Sequence, residues 1–198
     1  MAAKGNTRQE ILDAALELFS VQGYEATSIS QLADAVGIRK ASLYSHFESK
    51  QAILDALMQD TLAQYEERSL LVKADEEAMT AEAVAERILG QIRYILHDPQ
   101  ISRGRKMLTI EQFRSPEMAQ LQTKQNYTDV MRCFTDLMQQ LIRSGTLAAH
   151  DPEIMAAQLC LPVSAWLGLC DREPQREDEV TELIGRHVRQ FFEIYRAK

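Results

Sequence analysis

Between Arg39 and His46 the chain reads RKASLYSH. At helical spacing Arg39, Lys40, Ser42, Tyr44, Ser45 and His46 fall outward, while Ile38, Leu43 and Phe47 fall inward. The outward set is made of cations, hydroxyls, an imidazole and a phenol, and no acid interrupts it before Glu48. Such groups recognise rather than make bonds. Guanidinium and ammonium groups meet guanine edges or phosphates, hydroxyls bond phosphate oxygens, and an aromatic ring packs on a thymine methyl. On this reading Arg39, Lys40, Ser42 and Tyr44 are the candidates for base edges, and Thr27, Ser28, Tyr44, His46 and Lys50 the candidates for phosphates.

A constellation for bond-making chemistry is missing from the pattern. The four histidines, His46, His97, His150 and His187, lie far apart with no metal-ligand spacing. Cys160 and Cys170 are ten residues apart, which at about 100° per residue sets them on different faces of one helix. With Cys133 they form an odd set in apolar contexts, so buried thiols in a reducing, cytoplasmic compartment are expected. There is no glycine-rich phosphate loop, no GxSxG elbow and no HExxH pair. No cofactor, no metal and no enzymatic activity are expected.

The elements that present the polar face are legible around it. Ser28 and Gln31 have the spacing of a capping box, and Ile29, Leu32, Ala33 and Val36 recur as one buried helical face. Gly37 follows, where a chain leaving a helix turns left-handed most easily. Two short helices joined by this turn make a helix-turn-helix, whose second helix suits a major groove. An earlier helix is signalled by Thr7 and Glu10 as a cap and by Ile11, Ala15, Leu18 and Phe19 as its stripe. Ser49 caps a later one, with Ile53, Leu54, Leu57, Met58, Leu62 and Tyr65 on its apolar side and Lys50 in its first turn, placed for a phosphate.

The run Ile11-Leu12-Asp13-Ala14-Ala15, Leu18-Phe19, Gly23 to Ile29, Leu32-Ala33, Val36-Gly37-Ile38, Leu43-Tyr44, His46-Phe47 and Ser49-Lys50 resembles the DNA-binding domain of the TetR family of bacterial regulators. The resemblance covers about a quarter of the chain, residues about 7–52. It departs from the family pattern at Arg39, where Ser or Thr usually caps the recognition helix, and at Ala41, often Gly. It implies an all-α protein with a helix-turn-helix domain over 1–50 and a helical effector-binding and dimerisation domain over 51–198. It also implies a homodimer, double-stranded operator DNA and a small-molecule effector as partners.

Composition is compatible with this. The chain has 198 residues, 45% hydrophobic and 26% charged, with 8 Gly and 5 Pro, too few for the turns of an all-β protein. The net charge of −7 argues against nucleic acid, but Arg39, Lys40 and Lys50 outweigh Glu48 where contact would occur. No run of about 18 consecutive apolar residues marks a membrane span. Beyond a polar connection at 73–80, helices are expected over Ala81–His97, from Pro116 to Ser144, from Ile154 to Leu169 with a kink at Pro162, and from Val180 to Tyr195. The stretch 101–115 does not declare itself. Met107, Phe113, Tyr127, Met131, Phe134, Met138 and Trp166 could form an adaptable apolar pocket, although each singly suits a core position. The last two helices carry more apolar surface than one subunit can hide, which favours a dimer. The reading is a DNA-binding repressor released by a largely apolar ligand. The alternative is a small-molecule-binding helical protein that has lost DNA binding.

Overall fold

The computed structural model describes residues 7–69, 80–114 and 116–197, with side chains described outside 61–69. It is all-α: α1 (Thr7–Gln22), α2 (Ile29–Val36), α3 (Lys40–His46), α4 (Lys50–Ser69), α5 (Ala81–His97), α6 (Pro99–Glu111), α7 (Pro116–Thr123), α8 (Asp129–Arg143), α9 (Pro152–Arg172) and α10 (Glu177–Ile194). No strand occurs among the described residues, only an isolated bridge between Leu147 and Arg196. Most of the polar connection expected at 73–80, and the side chains of Leu62 and Tyr65, lie outside the described residues.

Contacts divide the chain into two compact units, and the first does not end at residue 50. It takes in the described residues up to Arg68 together with Asp98–Gln120. Its core is set by α1, which buries Ile11, Leu12, Ala15, Leu16 and Phe19 and packs on both α2 and α6. Here lies the stretch the sequence leaves open. Asp98 accepts from the backbone N–H groups of Gln100 and Ile101, both at 3.0 Å, and Pro99 takes the first helical position. The Asp98-Pro99 pair thus ends α5 and starts α6 in one step. α6 then buries Ile101, Gly104, Met107, Leu108 and Glu111 along one stripe.

The second unit holds the described residues of Ser69–His97 and Leu121–Lys198. Its core combines Val84, Ile88, Leu89 and Ile92 of α5, Met138 and Leu141 of α8, Met155 and Leu159 of α9, and Ile184, Val188 and Phe192 of α10. The single long helix expected from Pro116 is interrupted by a π turn at Lys124–Thr128. The wider turn displaces the helical phase before it from the phase after it. As a result Gln125 is buried and Tyr127 stands 53% exposed, though Tyr127 is in step with Met131 and Phe134 by spacing. The helix α9 runs on through Pro162. Proline weakens the ladder of carbonyls behind it, and His187 of α10 donates to the Leu159 carbonyl there at 3.2 Å. α9 is long and apolar enough to cross a membrane by length and composition alone. It packs against α8 and α10 and contributes Met155, Ala156, Leu159 and Cys160 to the core.

Candidate nucleic-acid interface

The helix-turn-helix is built by the local bonds its sequence signals. Ser28 Oγ accepts from Gln31 N–H at 3.2 Å and Gln31 Oε1 accepts from Ser28 N–H at 2.8 Å, a complete capping box. Gly37 takes φ 72°, and the backbone N–H groups of Gly37 and Ile38 close the end of α2 on Asp34 and Ala33 carbonyls at 3.1 and 2.9 Å. The chain re-enters helix at α3, whose cap residue Arg39 makes no side-chain cap bond. That leaves its guanidinium free of the cap duty that Ser or Thr would perform.

Two residues anchor α3. Leu43 is fully buried and Phe47 nearly so, and the Arg8 guanidinium of α1 lies 5.0 Å from the Phe47 ring centroid. With that side committed to the core, Arg39, Lys40, Ser42, Tyr44 and His46 are all exposed, Tyr44 by 51%. Ser45 Oγ donates to the Ser42 carbonyl at 2.6 Å and so is spent within the helix. Ser28 is exposed as well. The structure therefore brings six of the eight DNA-contact candidates to the exposed surface of α2 and α3.

The other two are placed differently. Thr27 is 1% exposed; its hydroxyl donates to the Gly23 carbonyl at 2.8 Å and accepts from Gln22 Nε2 at 2.9 Å. Its side chain holds the turn between α1 and α2. Lys50 is half-buried, and its ammonium donates to the carbonyls of Tyr24 at 2.8 Å and Thr27 at 3.0 Å, with Glu25 O at 3.5 Å. The same ammonium lies 4.1 Å from the Tyr24 ring centroid. Its ammonium thus ties the backbone of that turn to the start of α4.

The turn itself contains what residue patterns do not pick out. Tyr24 N–H donates to Glu111 Oε1 at 2.9 Å, and the Tyr24 hydroxyl donates to Gln51 Oε1 at 3.2 Å. The Tyr24 ring packs edge-on against Phe19, centroids 5.4 Å apart. Burial, then the carboxylates of Glu25, Asp55 and Glu111, raise its phenol above the ordinary value. Glu111 is 4% exposed, with Arg114 Nη1 3.7 Å from its carboxylate. One signal could have found it: at helical spacing Gly104, Met107, Leu108 and Glu111 share a stripe, so an acid stands where an apolar residue is due.

The candidate effector residues divide. Met131 and Met138 are in the core of the second unit, and Phe134 and Trp166 pack against it. Trp166 also meets the His187 ring edge-on at 5.2 Å. Met107 instead is fully buried within the first unit, because it lies on the α6 face that packs there. Phe113, two residues past the end of α6, is 90% exposed. Tyr127 is turned outward by the π turn. Cys160 is buried and its thiol is pushed up, by burial and then by Cys133. Among the described residues no group of His, Cys, Asp and Glu is placed to hold a metal ion.

Comparison with known proteins agrees with this architecture. The family model for bacterial regulatory proteins of the tetR family matches residues 11–57, and that for the C-terminal domain of AefR-like transcriptional repressors matches 83–197. The chain is 26% identical over 181 residues to the HTH-type transcriptional repressor Rv1474c of Mycobacterium tuberculosis, covering 78% of this chain and 89% of that one. Its fold is similar to SmeT, the repressor of the Stenotrophomonas maltophilia multidrug efflux pump SmeDEF, with TM-score 0.70 at 21% identity over 96% of this chain and 91% of the other. It is similar also to SmeT in complex with triclosan, with TM-score 0.72 at 19% identity over 98% and 93%. With one family model on its helix-turn-helix and another on more than half its length, the chain belongs to the TetR family of bacterial transcriptional regulators.

Proposed function

We propose that this protein is a homodimeric, cytoplasmic repressor that binds an inverted-repeat operator and is released from it by a small, largely apolar ligand. The observation that carries the reading is α3: Leu43 and Phe47 fix one side, and Arg39, Lys40, Ser42, Tyr44 and His46 stand exposed on the rest. Arg39, Lys40, Ser42 and Tyr44 read base edges, while Ser28 and His46 hold phosphates. Dimerisation is supported by α9 and α10. Ile154 and Leu161 of α9 and Leu183 and Ile194 of α10 are 54%, 41%, 38% and 67% exposed. Pairing these faces with their copies in a second subunit makes a four-helix interface. An apolar effector is supported by the sulfur- and aromatic-rich cluster of Met131, Phe134, Met138 and Trp166, and by the triclosan complex of the similar SmeT. Ligand in the second unit and DNA on the first are then coupled sites.

The test is selection of duplexes from a random-sequence pool, followed by footprinting. The expected product is an inverted repeat with half-site centres about 34–36 Å apart or a multiple of that spacing. Insertion of five base pairs at its centre turns one half by about half a turn and should abolish paired protection. Enrichment of no sequence would favour the other reading, a helical small-molecule-binding protein without DNA recognition.

A further inference from the structure

The backbone of Tyr24 is held at both ends by ionic side chains from two other helices. Its N–H donates to Glu111 Oε1, at the last residue of α6, at 2.9 Å. Its carbonyl accepts from Lys50 Nζ, at the first residue of α4, at 2.8 Å. The polarity is matched on each side, carboxylate to N–H and ammonium to C=O, and charge-assisted bonds of this kind are the stronger ones. The space around the carboxylate is closed. A Cβ added at Gly23, which has φ 84°, would lie 3.1 Å from Glu111 Oε1 and 3.3 Å from Ile110 Cγ2. Four residues after Tyr24 comes Ser28, the cap of α2, and from α2 the chain passes through Gly37 to α3.

We propose that Glu111 is a positioning residue for DNA binding. It touches no DNA; with Lys50 it fixes the Tyr24 peptide groups and thereby the point and direction at which α2 and α3 begin. The assignment rests on the DNA-reading function given to α3. It makes the end of α6 part of the reading head, although Glu111 is 87 residues from Tyr24 in the chain. Lys50 and Glu111 act together because each satisfies a different group of one residue: loss of Glu111 removes the side-chain acceptor of the Tyr24 N–H, and loss of Lys50 leaves the Tyr24 carbonyl with the Thr27 N–H at 3.2 Å.

The experiment compares E111Q and E111L in the full-length protein, using the best duplex that the wild type selects from a random pool. Glutamine keeps an acceptor for Tyr24 N–H, and leucine keeps bulk without one. Leaving that N–H unpaired should weaken operator affinity by about tenfold in E111L. E111Q should stay within about threefold of the wild type, since its amide oxygen restores the bond. The affinity is taken for the active fraction, counted by stoichiometric titration. A role in folding alone would lower that fraction and leave the affinity of the remainder untouched. The salt dependence of E111L should match the wild type, because no phosphate contact is removed. Wild-type affinity in E111L, or equal loss in E111Q and E111L, would overturn the proposal. Should E111L not fold, hydrogen exchange of the wild-type Tyr24 amide decides. Slow exchange is expected, and exchange at the rate of an unfolded chain would overturn it. A pool from which the wild type selects nothing overturns the DNA-reading function itself, a different result from selection that E111L leaves undisturbed.

Discussion

Replacing Lys50 by methionine separates a clamp from a phosphate ligand. The wild-type ammonium makes two close bonds, to Tyr24 O at 2.8 Å and Thr27 O at 3.0 Å, and rests 4.1 Å from the Tyr24 ring centroid. Each bond from a charged donor contributes about 1.5 kcal/mol at the low end of its range, which suits a half-buried group. The cation–π contact adds about 0.5 kcal/mol at a partly exposed site. Methionine keeps most of the apolar stem, so the loss is mainly polar and totals about 3.5 kcal/mol. For a protein of this size that lowers the melting temperature by about 7–14 °C. Circular dichroism melts measure that quantity, and operator titrations at several salt concentrations measure the other. A clamp leaves the slope of log affinity against log salt unchanged. A phosphate contact lowers it by about 0.9. An unchanged melting temperature together with a slope lower by about one unit would refute the clamp and restore Lys50 to the phosphates.

Further outcomes test other parts of the structure. Gly37→Ala should cost about 1–2 kcal/mol from its left-handed backbone alone, as no atom lies within 4 Å of an added Cβ. Gly23→Ala should cost more in the same chemical denaturation assay, because Glu111 and Ile110 already crowd that position. Leu161→Arg or Leu183→Arg should convert the dimer to a folded monomer in sedimentation velocity; an intact dimer in both would place the interface elsewhere. The Cys133 thiol is raised by burial first and then by Asp136, with Arg132 opposing, and burial also raises Cys160. With less thiolate at neutral pH, iodoacetamide should label both slowly in the native protein and rapidly after unfolding. The sign for stability follows: the folded chain keeps protons that the unfolded chain releases near the ordinary thiol value of 9.0, so stability is full below pH 9 and declines above it. Fast native labelling, or stability constant from pH 8 to 10.5, would contradict the burial.

The reading head was legible because its signals are local. The Ser28–Gln31 box and the Gly37 turn are made by groups within five residues of one another, so their spacing alone specifies the bonds. The outward side of α3 followed from Leu43 and Phe47 pointing inward. All-helical architecture and the family followed from the same periodicity and from the ordered run between Ile11 and Lys50. Tertiary contacts decided the rest. Lys50 reads as a surface cation from its neighbours, and only the approach of a turn 26 residues earlier gives its ammonium three carbonyls. Thr27 reads as a free hydroxyl until Gly23 and Gln22 close on it. Met107 and Phe113 look alike as apolar letters six apart, yet one lies on the packed face of α6 and the other beyond its end. Tyr127 keeps a helical phase with Met131 that a π turn then removes. Periodicity states which side of a helix is apolar. Which element arrives to cover that side, and which buried polar group it must satisfy, depends on residues as remote as Glu111 and Tyr24, and that was fixed only when the chain folded.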